Sequence, residues 1–528
     1  MTETFEVGAL DIGILVGYLV LSRLIPLLLT RGEKDSSEYF LGGRNFVWPL
    51  IGFSLFATNM SGASFVGLAG AGYNSGISVY SYEWMAAVIL VLFVFFILPF
   101  YLRSEVFTMP EFLERRYDRR SRTTFAGFLV FMSMFVDAAA ALYAGGLVAR
   151  TLFPGPPLWV HVAALALLAG VYTIFGGLGA VVISDSIQAV VLILGGALIF
   201  FLTWREIPSW EAMEAAAPAG ALSIIQPIDD PALPWPGLFT GVLIIGIYFW
   251  TTNQLIVQRT LGAKSLDHGR WGSLFAGFLK LSILWIMIFP GTMAIVLYPD
   301  LPNPDLVFPT LAFDLLPIGI RGLILAALVA AITSSVDSIL NSSSTLVTMD
   351  FVREFRPGTS DAALVQIGRI TTGVVMVVSV AWAPQIENFP SLWQYLQSVL
   401  SYTVPPVVAV FLVGIFWRRA NGVAAFVTLL GGILIGVVFF ILNEIQGVFD
   451  LQFLYASGIS FAISIGVLIG LSLLTPAPDY ERVDDLVWTP KLWREETRDL
   501  EGTPWWQNYR IQSIGLLALT AVIVGWYW

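Results

Sequence analysis

The stretch "LAALVAAITSSVDSILNSSSTLVTMDF", residues 325–351, has the length and the apolar start of a membrane span, yet its second half is crowded with oxygen. Ser334, Ser335, Ser338, Asn341, Ser342, Ser343, Ser344 and Thr345 surround one aspartate, Asp337. On a helix Ser334, Ser338, Asn341 and Thr345 recur at i, i+4, i+7 and i+11 and share a face. Small hydroxyl residues also serve close helix packing in membranes, and that reading covers the serines. It does not cover Asp337, because a carboxylate inside a span is expensive and marks function. A dense oxygen cluster beside a carboxylate suits a hard cation better than an apolar ligand.

The rest of the chain has the same character. It is 57% hydrophobic and only 12% charged over 528 residues, against roughly 25% charged in soluble domains. Apolar runs of about 20 residues read as transmembrane helices. Fourteen are predicted, from 8–30 to 509–528, too long and continuous for barrel strands. The expectation is an all-α polytopic membrane protein without a soluble domain. No cysteine is present, so neither a disulfide framework nor a thiolate metal site exists. The start "MTETFEVGALDIG" lacks the basic region of a signal peptide, so the first span is expected to be retained. A net charge of −10 argues against a nucleic-acid partner.

The basic residues orient the spans. With the N-terminus outside, the inward loops hold Arg31, Lys34 and Arg44, the cluster Arg115 to Arg122, Lys264, Arg270, Arg353, Arg356, Arg418, Arg419 and the basic residues of 482–498. The outward side holds little more than Arg150, Arg205 and Arg321. That asymmetry obeys the positive-inside rule, and an even span count puts both termini outside a plasma (inner) membrane. The inner link 475–508 reads either as a segment along the membrane surface or as a solvated linker.

Two spans are interrupted by polar residues. In 46–72 the sequence "LFATNMSGASFVGLAGAGY" places Thr58, Asn59, Ser61, Gly62 and Ser64 mid-span, and in 236–262 Thr251, Thr252, Asn253 and Gln254 follow Phe249 and Trp250. Irregular backbone at membrane depth survives only where protein or a watery cavity satisfies it. Paired broken spans at corresponding points of two halves point to a transporter site. Here they open two groups of five spans, 46–203 and 236–417, and an odd number per group inserts the second upside down. Further ionisable residues lie within spans: Glu83, Asp137, Asp185 and Lys280. Asp185 and Asp337 both fall in the inner halves of their helices, and Lys280 lies roughly 15 Å from its inner end at 1.5 Å per residue. No P-loop, metal-ligand histidine pair or nucleophile–base arrangement competes, so no enzyme activity is expected. Gradient-driven transport remains.

Six stretches in order, "SLFATNMSGASFVGLAGAGY…SYEWM", "FTMPEFLERRYD", "YTIFGGLGAVVISDSIQ", "FWTTNQLIVQRTLGAKS", "FLKLSILWIMIFPG" and "SSVDSILNSSSTLVTMD", resemble the sodium:solute symporter family, and within it the sugar branch of galactose and glucose carriers. The resemblance spans about 35–420. It implies a LeuT-like core of two inverted five-helix repeats, 46–203 and 236–417, joined by an outer loop 204–235. An extra helix and inner loop (1–45) precede the core, and three helices (418–528) follow it. It implies a main sodium site from the backbone oxygens of Ala57, Met60 and Ala331 and the hydroxyls of Ser334 and Ser335. A possible second site maps to Asp185, Asp337 and Ser338, with Asp337 binding sodium or a proton. For a sugar it implicates Asn59, Glu83, Lys280 and Gln397 as hydroxyl partners, Trp250 as an aromatic platform, and Ser64 and Phe249 where relatives carry other contact residues. Ala86 and Gly246 replace polar contacts of the galactose carrier. The function so implied is sodium-coupled symport of a hexose, with one or two Na+ as coupling ion. The alternative is a sodium- or proton-coupled symporter of a non-sugar solute such as an organic acid or polyol. A channel or sensor on the same scaffold has no supporting feature.

Overall fold

The computed structural model describes residues 8–29, 42–106, 108–152, 155–172, 178–449 and 451–528. Among them the chain is all-helical, and its only β pairings are the isolated bridges Phe46–Ala263 and Gln226–Pro234. Ten helices are long and apolar enough to cross a membrane, or twelve when two bent pairs each count as one span. The apolar stretch of Ile320–Phe355 is 76% buried inside the protein, whereas that of Phe453–Leu474 is only 22% buried. The first therefore lies at the centre and the second faces lipid, which solvates exposed residues such as Ile463 and Leu473.

Both polar interruptions are real breaks. Helix Trp48–Asn59 ends where Met60 turns to ψ 57°, and Ser61 is extended before helix Gly62–Ser75 begins. The Ser64 hydroxyl donates to the Asn59 carbonyl at 2.7 Å, satisfying one of the oxygens that the break sets free. The second break follows a π-helical turn, Tyr248–Thr252, after which Asn253 is extended and the helix resumes at Gln254 with a 46° bend. Its freed groups find protein partners. The Tyr101 hydroxyl donates to the Thr251 carbonyl (2.9 Å), Asn253 caps the Leu255 N–H (2.9 Å), and Gln254 accepts from the Met109 N–H (2.7 Å). A third bend of 53° separates Leu392–Thr403 from Pro405–Phe416 inside the predicted span 390–417. Pro405 and Pro406 have no N–H for the ladder, and that is its cause.

Helix Trp48–Asn59 crosses Leu266–Leu281 at glycine. A Cβ on Gly272 would come within 2.6 Å of the Ile51 Cβ, so only hydrogen allows the approach. Two turns beyond that crossing, Lys280 meets the break at Asn59.

Buried polar contacts tie several of the described helix ends and the link 475–508 to the bundle. Asp11 on helix Ala9–Leu29 accepts from the N–H groups of Gly319 (2.7 Å) and Gly322 (3.0 Å) and from Arg321 (2.9 Å), binding the first helix to the start of Ile320–Thr345. Buried Arg116 donates to the carbonyls of Gly414, Trp417 and Ala420 at 2.7–3.0 Å, capping Pro405–Phe416. Segment 475–508 contains a surface helix, Pro490–Asp499. Its Glu496 pairs with Arg270 and accepts from the Tyr509 hydroxyl, and its Trp493 stacks on Phe95. It is a docked segment and not a free linker. Of the motifs above, 31–41 and 173–177 lie outside the described residues, as do the side chains of Ser334 and Asn341.

Candidate solute and ion site

The two breaks open onto one central cavity of about 160 Å³. At 10–15 Å³ per water-sized centre it has room for about 11–16 such groups, the scale of a monosaccharide ring. The first broken helix contributes Ala57, Asn59 and Ser64 to its lining, and the second contributes Tyr248, Phe249 and Trp250. Glu83, Lys280, Gln397, Ala331, Ser335 and Ser338 arrive from four further helices.

One polar cluster dominates the wall. The Lys280 ammonium, only 1% exposed, forms an ion pair with Glu83, donates to the Asn59 side-chain oxygen, and touches the Met60 sulfur at 3.1 Å. The same ammonium lies 5.8 Å from the ring centroid of Trp250, and Phe249 meets that ring edge-on. Gln397 is 6% exposed, and its Oε1 has no hydrogen-bond partner among the described residues. A buried amide oxygen left unpaired costs stability unless a ligand or water supplies a donor. Amide, carboxylate and ammonium groups beside an indole face form the set of donors and acceptors that a ring of hydroxyls with apolar C–H faces requires.

A second region holds Ala57, Ala331, Ser335, Ser338 and Asp185 on the lining of the same cavity. Asp185 Oδ2 accepts from Ser54 (3.1 Å), Thr58 (3.3 Å) and Arg259 (3.4 Å), tying the first broken helix to Leu178–Glu206 and Gln254–Leu261. Met60 stands in the break itself, while Asp337 is buried without lining the cavity. No cluster of three or more His, Cys, Asp or Glu suited to a metal ion occurs among the described residues.

The structure thus brings every solute-contact candidate to one cavity, with one adjustment: the Ser64 hydroxyl is committed to the Asn59 carbonyl. It adds residues that sequence reasoning left out. Tyr82 and Trp393 pack edge to face at 5.4 Å on its wall, and Arg259 pairs with Asp185. Trp393 stands four residues before Gln397, so helical spacing alone puts both on one face. Arg259 was a visible signal too, a basic residue inside an interrupted span.

Comparison with known proteins bears on the family and the fold. The model of the sodium:solute symporter family matches residues 39–432. The sodium/myo-inositol cotransporter 2 of Bos taurus is 35% identical, over 92% of this chain and 79% of its own length. The sodium/glucose cotransporter 1 of Oryctolagus cuniculus is 33% identical, over 94% of this chain and 83% of its own. Among solved structures, a substrate-bound, outward-open Na+-coupled sialic acid symporter superposes with TM-score 0.76 at 25% identity, covering 90% of this chain and 99% of that one. The inward-facing conformation of Mhp1, at TM-score 0.51 and 13% identity over 87% of this chain and 99% of its own, shares the fold alone. This multi-pass membrane protein therefore belongs to the sodium:solute symporter family, a family of transporters and not of enzymes, and its relatives include sodium/myo-inositol and sodium/glucose cotransporters.

Proposed function

We propose that this chain is a sodium-coupled secondary symporter that imports a neutral polyhydroxylated ring, a hexose or a cyclitol, by alternating access. The observation that carries this reading is the Lys280–Glu83–Asn59 cluster facing Trp250, with Gln397, whose Oε1 has no partner among the described residues, lining the same cavity. The names of the inositol and glucose relatives point to the same solute class.

Sodium is assigned to the backbone oxygens of Ala57, Met60 and Ala331 with the hydroxyls of Ser334 and Ser335. That set joins the first break to helix Ile320–Thr345, so an ion there couples the two. A second cation is assigned to Asp185, Asp337 and Ser338, where it competes with Arg259 for the Asp185 carboxylate. Fourteen crossings follow if Trp48–Ser75 is one broken span and Leu158–Tyr172 a short one, with 46–203 and 236–417 as inverted repeats and both termini outside.

Sodium-gradient-driven uptake into proteoliposomes, with hexoses, cyclitols and organic acids as competitors, tests the reading. Neutral rings are expected to drive sodium entry and to compete. Competition by organic acids alone, or sodium-independent uptake, overturns it.

A further inference from the structure

Five charged side chains line the central cavity: Glu83, Asp137, Asp185, Arg259 and Lys280. Four pair off, Lys280 with Glu83 and Arg259 with Asp185. Asp137 has no basic partner among the described residues, and it leaves the lining with one acidic group that no basic group matches. It stands in a π-helical turn, Ser133–Ala138, a distortion that recurs at functional positions. Tyr248 lines the same cavity from the π-helical turn of the second broken helix, within electrostatic reach of Asp137. Its hydroxyl is buried and has no hydrogen-bond partner among the described residues, so it does not satisfy the carboxylate, nor the carboxylate it.

An acceptor on the cavity lining, and a donor hydroxyl buried behind the same lining and bonded to nothing described, leave a place for a group that is both. A hydroxyl donates once and accepts twice. A carboxylate on the wall of a cavity within the span is stabilised by donors or a cation arriving from that cavity, and when ionised it repels a second carboxylate there.

We propose that Asp137 is a specificity-determining residue that accepts a hydroxyl of the neutral ring, with Tyr248 donating to that same hydroxyl, and that it turns away solutes bearing an acidic group. This rests on the polyol reading above and adds a contact separate from the Lys280 cluster. It also separates this cavity from one built for an anionic solute.

The test uses the full chain in proteoliposomes, with D-glucose and myo-inositol, their monodeoxy analogues, and D-glucuronate as competitors. In the wild type one deoxy position is expected to lose about tenfold or more in competition, the size of one lost buried hydrogen bond. In Asp137→Ala the penalty at that position vanishes while the others persist, and in Asp137→Asn D-glucuronate competes about tenfold better. Tyr248→Phe, which removes only the hydroxyl, reduces the penalty at the same position. Equal loss across all analogues in the Asp137 variants makes the residue structural and overturns the proposal. So does a changed sodium half-saturation with unchanged solute affinity, which makes it a cation carrier. If neither neutral ring drives sodium entry in the wild type, the polyol reading itself falls. If one does, and the variants keep the wild-type deoxy profile, only the role of Asp137 falls.

Discussion

The Lys280 ammonium is ion-paired with the Glu83 carboxylate where both residues are almost wholly buried, 1% and 4% exposed. Removing one partner strands the other as a buried charge, at a cost of about 3–5 kcal/mol, whereas replacing both by apolar groups is close to neutral. Lys280→Met is therefore expected to lower both thermal stability and uptake. The double variant Lys280→Met with Glu83→Leu recovers the melting temperature in detergent and still transports nothing. Normal uptake by the double variant would show that the pair serves packing and not the solute.

Gln397 offers the cleanest solute variant, since its Oε1 has no hydrogen-bond partner to disturb among the described residues. Gln397→Ala is expected to weaken apparent solute affinity about tenfold, the equivalent of a lost hydrogen bond of roughly 1–3 kcal/mol. Expression and sodium activation at saturating solute stay at wild-type level. Unchanged affinity in initial-rate uptake assays removes Gln397 from the site.

Ser335 lines the cavity with Ala57 and Ala331. Ser335→Ala is expected to raise the sodium concentration for half-maximal uptake several-fold while solute affinity at saturating sodium barely moves. If a second cation uses Asp337, Asp337→Ala lowers the Hill coefficient for sodium towards one, and the charge moved per solute falls from two to one. A wild-type reversal potential fitting one charge per solute leaves Asp337 a structural role only.

Asp305 lies between the spans Leu266–Leu297 and Ile320–Phe355 and is buried to 1% exposure. It accepts from the Leu392 N–H at 3.0 Å and from the Tyr143 hydroxyl at 3.3 Å, so it ties this loop to the helix carrying Trp393 and Gln397. Burial pushes its carboxyl up to about 6 against the opposing pull of those two donors. The folded state then holds a proton more tightly than the unfolded one between about pH 4 and 6. Stability is highest below that window and falls as pH rises through it, by about 3 kcal/mol for a shift near two units. Asp305→Asn is expected to flatten the melting temperature across pH 4–7 in detergent. A wild-type curve that rises with pH over that range, and that the variant leaves unchanged, contradicts the assignment.

Much of this arrangement was legible in the residues themselves. Polar runs at 58–64 and 251–254 can survive at membrane depth only beside a cavity, and both breaks stand there, at Met60 and Asn253. The bend at 403–405 falls inside one predicted span although Pro405 and Pro406 mark it, because an apolar run hides a bend that needs no polar residue. Asp137 reads in the sequence only as an ionisable residue within a span, and nothing there sets Tyr248 apart from the other aromatics.

Hydrophobic run length determined that the chain crosses a membrane, and isolated polar residues within those runs marked where function sits, because lipid tolerates neither an exposed backbone nor a lone charge. Which charge answers which was decided only by the tertiary structure. Lys280 and Glu83 stand 197 positions apart, Arg259 and Asp185 74 apart, and no local periodicity relates them. Their pairing depends on how closely helices cross, as at Gly272 and Ile51, and on how each break turns its side chains. Asp137 is the residue left over by those pairings, and that becomes visible only when the others have found their partners.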